Sequence, residues 1–170
     1  FLEKASRHGV VQGESRLSGL REQREKAVTE MKLEQELRAG LENREFVPVL
    51  QPIVSLPERQ LVGYEALIRW HHPTRGIVPP NQFITLAEES GLIMELGDWV
   101  IEEACRAAAC WPEHISVAIN ISAKQLIFPA LPNTVNESIR RHRLQPNRLE
   151  LEVTESLFMG DSANALDVLK

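Results

Sequence analysis

Glu65 and Arg69 lie on one side of the segment Leu61 to Trp70, LVGYEALIRW, whose other side is entirely apolar. Alternate residues of a strand face opposite ways, so Val62, Tyr64, Ala66, Ile68 and Trp70 form the apolar side and Gly63, Glu65, Leu67 and Arg69 the other. The pattern recurs in Ile115 to Ser122, where Ile115, Val117, Ile119 and Ile121 alternate with Ser116, Ala118, Asn120 and Ser122. In Leu149 to Glu155 the apolar residues Leu149, Leu151 and Val153 alternate with Glu150, Glu152 and Thr154. If these strands are neighbours in one sheet, Glu65, Asn120 and Glu152 converge as oxygen ligands on one point.

The elements that must position these residues follow from periodicity and punctuation. Residues 1 to about 18 are polar and without a clear period, while Leu20 to Leu41 has a helix-favouring composition with a partial apolar stripe of Val28, Met31, Leu33, Leu37 and Leu41. It is expected as a connecting helix, with a dimerising helix as the sharper alternative. Phe46 to Val54 contains Pro48 and Pro52, which cannot donate to a ladder, and so reads as an edge or irregularly paired strand. HHPTRGIVPP reads as a loop, followed by a helix near Asn81 to Glu89 with Asn81 as its cap, Pro80 close to its first turn and Gly91 at its end. Leu92 to Trp111 is helical in spacing and stopped by Pro112. Ser122 and Gln125 form a capping-box pattern, so the strand ending at Ile121 passes directly into a helical segment. A further helix is expected around Thr134 to Arg143, and Asp161 reads as the N-cap of a last one.

Strand and helix alternate as in an α/β fold with parallel strands. Small and polar inner faces favour a barrel over an open sheet, whose strands would be apolar on both faces. About 135 residues follow the N-terminal helix, against the roughly 250 of a complete barrel, so about half of one is expected here.

The formal charge of −5 argues against sequence-independent nucleic-acid binding. Apolar stretches are broken by charge before the roughly 18 residues that a membrane span needs, and Phe1 to Arg21 has no signal-peptide core, so the chain reads as cytoplasmic. Cys105 and Cys110 lie five apart in a helical segment and read as two reduced, packing cysteines. The chain starts with Phe and stops in an unfinished helix, which reads as a piece of something longer.

YEALIRWHHPTRG resembles the EAL domain, the family of bacterial phosphodiesterases that hydrolyse cyclic di-GMP. The likeness runs through QPIV (Gln51 to Val54), PPNQFITLAEESGLI (Pro79 to Ile93), LGDWVIEEAC (Leu96 to Cys105), NISAKQL (Asn120 to Leu126) and LELEVTES (Leu149 to Ser156). It implies two parts: residues 1–36, a segment and linker helix that could be the tail of an upstream GGDEF or sensor domain, and residues 37–170, an EAL domain cut before its paired-aspartate segment. The implied fold is a TIM-like barrel with an antiparallel first strand. By the resemblance Glu65, Asn120 and Glu152 would be ligands to Mg²⁺ or Mn²⁺, Gln51 and Arg69 would contact the nucleotide and its phosphate, and Glu155 would be a supporting carboxylate. The implied reaction is attack of water on cyclic di-GMP to give linear pGpG, in second-messenger signalling. Hard cations prefer carboxylate and amide oxygens, and a guanidinium fork suits a phosphate. The paired aspartates of the DDFGTG type and the later lysine of active members are not in this sequence, so the chain alone is expected to be inactive. A catalytically silent cyclic di-GMP receptor is the alternative function, and a second copy paired through the N-terminal helix is a further candidate partner.

Each residue also has a plainer reading. Glu65 alone could be a salt-bridged glutamate, Asn120 a strand-end cap and Glu155 the start of a loop. His71 and His72 lack a third ligand at useful spacing and read as structural or solvated. Trp70, Trp99 and Trp111 read as core, Glu88–Glu89 and Glu102–Glu103 as solvated helix faces.

Overall fold

A long N-terminal helix leads into a mixed sheet in the computed structural model, which describes residues 2–153. The elements are α1 (Leu2–Glu42), β1 (Phe46–Val54), β2 (Leu61–His72), β3 (Gly76–Val78), α2 (Ile84–Ser90), α3 (Ile93–Ala108), β4 (Ser116–Ile121), α4 (Ala123–Leu126), α5 (Leu131–His142) and β5 (Leu149–Val153). The expected strand Leu149 to Glu155 is described as far as Val153; Glu155 and Asp161 lie outside the described residues.

The sheet runs β1-β2-β4-β5, with β3 paired on β2. β2, β4 and β5 are parallel, as expected for α/β connections, and β1 is antiparallel to β2. The prolines of β1 are accommodated because it forms one end of the described sheet, and its register slips between Ile53 and Val54. The segment HHPTRGIVPP is not all loop: His72 pairs with Gly76 and Trp70 with Val78 in a short hairpin, Gly76 taking the left-handed turn position at φ 72°.

Two apolar clusters hold the helices to one face of the sheet. Ala66, Val117, Ile119 and Ile121, the inward alternation of β2 and β4, pack on Ile101, Ala104, Cys105 and Ala108 of α3. Around Trp70, Phe46 stacks at 5.4 Å and Phe83 meets both rings edge-on at 5.6 and 5.8 Å. Trp70 and Phe83 are fully buried, each contributing on the order of 3 kcal/mol. The indole N–H of Trp70 donates to Glu45 Oε2 at 2.9 Å, and Gly40 lets α1 approach so closely that a Cβ there would stand 2.8 Å from that nitrogen.

Several expectations are corrected. α1 begins at Leu2 rather than near Leu20. Its apolar residues do not form one stripe: Leu37 is buried and Leu33 and Leu41 pack beside it, whereas Val28 and Met31 are 59% and 62% exposed. Met31 and Leu33 are two residues apart, about 200° around the axis, so the two sets face opposite ways. Asn81 does not cap α2; it sits within a 3₁₀ turn, Pro80–Gln82, with Pro80 at its first position, and α2 starts after Phe83 without a side-chain cap. Gly91 ends α2 at φ 82° as its type suggests. α3 stops at Ala108, before Pro112. Cys110 is exposed, so only Cys105 packs in the core. Trp99 and Trp111 are half-buried.

Glu102 is not merely solvated. Its carboxylate accepts from Ser138 Oγ at 2.8 Å, Arg141 Nη1 at 3.0 Å and His142 Nε2 at 2.9 Å, joining α3 to α5. His72 is structural, as expected: it is buried, and its Nδ1 accepts the backbone N–H groups of Thr74 and Arg75. That leaves the ring proton on Nε2, 3.5 Å from Glu36 Oε2, which also accepts from Arg75 Nη2 at 2.8 Å. The end of α1 is thereby clasped to the hairpin that continues β2.

Candidate metal and nucleotide site

β2 and β4 are neighbours with Glu65 opposite Ala118, and β4 and β5 are neighbours with Asn120 opposite Glu152. The three residues singled out by alternation thus lie on adjacent strands and on the face turned away from the helices. Asn120, two residues beyond Ala118, reaches across to β2, its Nδ2 donating to Glu65 Oε1 at 2.7 Å. That bond fixes the amide: with nitrogen towards Glu65, the Asn120 carbonyl oxygen is turned away and free to accept or ligate. On the other side Gln51 of β1 stands directly opposite Glu65 in the register and is exposed. Arg69 faces Val47, two strand repeats further along, and its Nη1 donates to the carbonyl of Ile68 at 2.9 Å.

The structure therefore places Gln51, Glu65, Asn120 and Glu152 on four neighbouring strands, Asn120 and Glu152 one repeat beyond Gln51 and Glu65, with Arg69 further along β2. Glu155 lies outside the described residues. Two carboxylates and an amide oxygen are the donor chemistry that hard divalent cations take. Among the described residues no three His, Cys, Asp or Glu side chains form a metal-binding group.

The ends of these strands are held by side chains that alternation does not reveal. Ser122 Oγ accepts the backbone N–H of Gln125 at 3.3 Å while Gln125 Oε1 accepts the backbone N–H of Ser122 at 3.0 Å, the expected capping box. Gln125 is buried, and its amide occupies the space a side chain on Gly97 would need; a glycine inside an amphipathic helix was the available signal. Arg148, just before β5, is 6% exposed and donates to the carbonyls of Ile115 and Ala108 at 3.0 and 2.6 Å. Nothing in its neighbourhood of sequence marks it.

The EAL domain family model matches residues 34–170. This chain belongs to the EAL domain family. An uncharacterized signaling protein of Caulobacter vibrioides is 46% identical over 138 residues, 81% of this chain and 17% of that protein. The bifunctional diguanylate cyclase/cyclic di-GMP phosphodiesterase MucR of Pseudomonas aeruginosa is 41% identical over 148 residues, 85% of this chain and 22% of that one. The solved PaMucR phosphodiesterase in its c-di-GMP complex aligns with a TM-score of 0.77 at 42% identity, over 81% of this chain and 57% of that structure. The EAL chain described here thus spans about a fifth of these two relatives' length and rather more than half of the solved domain. The five-stranded sheet of the described residues, with its antiparallel first strand, is a corresponding part of an EAL-type, TIM-like barrel.

Proposed function

We propose that this EAL domain belongs to a cyclic di-GMP phosphodiesterase that opens one phosphodiester bond to give linear pGpG, with Mg²⁺ or Mn²⁺ as the metal. The observation that carries the reading is the Asn120–Glu65 bond of 2.7 Å between neighbouring strands, with Glu152 opposite Asn120 in register. Glu65, Asn120 and Glu152 would hold the ion, and what it supplies when bound is Lewis acidity, easing deprotonation of a water and the charge gathering on phosphorus. Asn120 holds Glu65 in place by its amide nitrogen and offers its carbonyl oxygen. Arg69 gives up its bond to Ile68 to meet a phosphate oxygen, and Gln51 contacts the nucleotide beside Glu65. Glu155 supports the carboxylate set.

The dimer reading is supported by the exposed face of α1 around Val28 and Met31, and an upstream GGDEF or sensor module by MucR, a two-activity protein of which this chain matches about a fifth. The proposed division falls between residues 36 and 37, and the proposed place of action is the cytoplasm; among the described residues no helix is long and apolar enough to cross a membrane.

The test is product analysis of the full-length protein with cyclic di-GMP and Mn²⁺ or Mg²⁺. pGpG should form, and Glu65→Ala should slow it by about 10³-fold, the equivalent of about 4 kcal/mol in the barrier. An unchanged rate in that variant would falsify the assignment. Tight nucleotide binding without product identifies a receptor instead.

A further inference from the structure

We infer that Gln125 is a positioning residue for the site: by closing the capping box at the end of β4 it holds the Asn120 amide against Glu65. The inference rests on the proposed metal reading for its consequence, though not for its geometry.

Asn120 is followed by one strand residue, Ile121, and then by Ser122, which turns the chain from extended backbone, φ −75° and ψ 160°, into α4. α4 is four residues long and too short to hold itself. Besides the burial of Leu126 in the core, three ties hold it. The Ser122–Gln125 box fixes the turn from both directions. Lys124 Nζ donates to the carbonyl of Glu88 at 2.7 Å, tying α4 to the end of α2. The Gln125 amide lies against Gly97 of α3, a place that no larger residue could share with it. Of these, only the Gln125 side chain bonds the backbone at Ser122, two residues from Asn120. Asn120 itself is exposed and, among the described residues, its side chain bonds Glu65 alone, so its position depends on where the strand end is pinned. The ladder to β5 and the burial of Ile121 hold the strand itself, so freeing Ser122 loosens only its exit, and the 2.7 Å bond is the contact that registers it.

The full-length protein, ¹⁵N-labelled on Asn, reports the bond directly, because a side-chain N–H donating to a carboxylate resonates downfield of a solvated one. Gln125→Met keeps the volume beside Gly97 and removes the acceptor, while Gln125→Glu keeps the acceptor, since Glu closes the same box. Gln125→Met should return the Asn120 amide to a solvated position and weaken Mn²⁺ half-saturation by about tenfold, as loss of supporting contacts to metal ligands does elsewhere. Gln125→Glu should restore both to within about twofold. Ser138→Ala, which removes a buried bond to Glu102, serves as the control for simple loss of stability and should move neither. An Asn120 amide unmoved in Gln125→Met, or moved equally in Ser138→Ala, overturns the inference. If the native protein binds no Mn²⁺, the metal reading fails, and the Asn120 resonance alone still decides this one.

Discussion

Arg148 has a charged side chain 6% exposed that, among the described residues, bonds no carboxylate, only the carbonyls of Ala108, Ile115 and, at 3.4 Å, Trp111. A buried guanidinium is tolerable there because the Ala108 oxygen ends α3, where the helix dipole is negative. Arg148→Leu should lower stability by about 2–4 kcal/mol in denaturant unfolding, since it leaves the carbonyls dry and unbonded. Arg148→Lys should recover only part, as an ammonium cannot span acceptors on two elements. The two cysteines give a second test. Burial, and then the charge of Glu102, push the Cys105 thiol up to about 11, while Cys110 is exposed. Alkylation of the native protein at neutral pH should therefore label Cys110 and not Cys105, and a label on Cys105 without denaturant would contradict this packing. At this scale the sequence made Glu65, Asn120 and Glu152 legible, because a period of two states which residues share a face. It left Arg148 and the depth of Gln125 hidden, because their partners are backbone atoms more than thirty residues away or a glycine that contributes no side chain.

The α3–α5 contact shows how an element pair can be held by one carboxylate. Burial raises the pKa of Glu102, but hydrogen bonds from His142, Ser138 and Arg141 outweigh it, and the net result lies below the ordinary glutamate value of 4.5. A carboxyl lowered on folding contributes stability that is present above its unfolded pKa and lost as pH falls through the folded one. Thermal melts should therefore show part of the acid destabilisation, below about pH 4.5, disappearing in Glu102→Gln, and an identical pH slope in that variant would sink the idea. Legibility at this scale was uneven. The strands other than β3, the capping box and the Gly91 stop were readable because each rests on local chemistry. The start of α2 and the two-sidedness of α1 were not, since Pro80 took the turn that Asn81 was expected to cap and tertiary contact decided which leucines are buried.

For the whole molecule, the split between the Leu33–Leu37–Leu41 side of α1 and its Val28–Met31 side separates attachment from association. If the second side pairs two copies, Met31→Glu should convert a dimer to monomer in analytical ultracentrifugation while leaving the melting temperature of the domain within a few degrees. A dimer that survives the charge rules that surface out. The order of alternating elements made a barrel readable, but only the register of β1 fixes how the chain enters it. Because β1 runs against its neighbours, Phe46 pairs with Trp70, near the C-terminal end of β2. A parallel first strand would have brought the entering helix to the floor of the barrel. Here α1 arrives at the rim, at the same end as Asn120 and Glu152, and Glu36 is bound to the hairpin growing from that rim. Whatever moves α1 is therefore delivered to the doorway through which the proposed nucleotide would come, with no need to travel through the floor of the barrel.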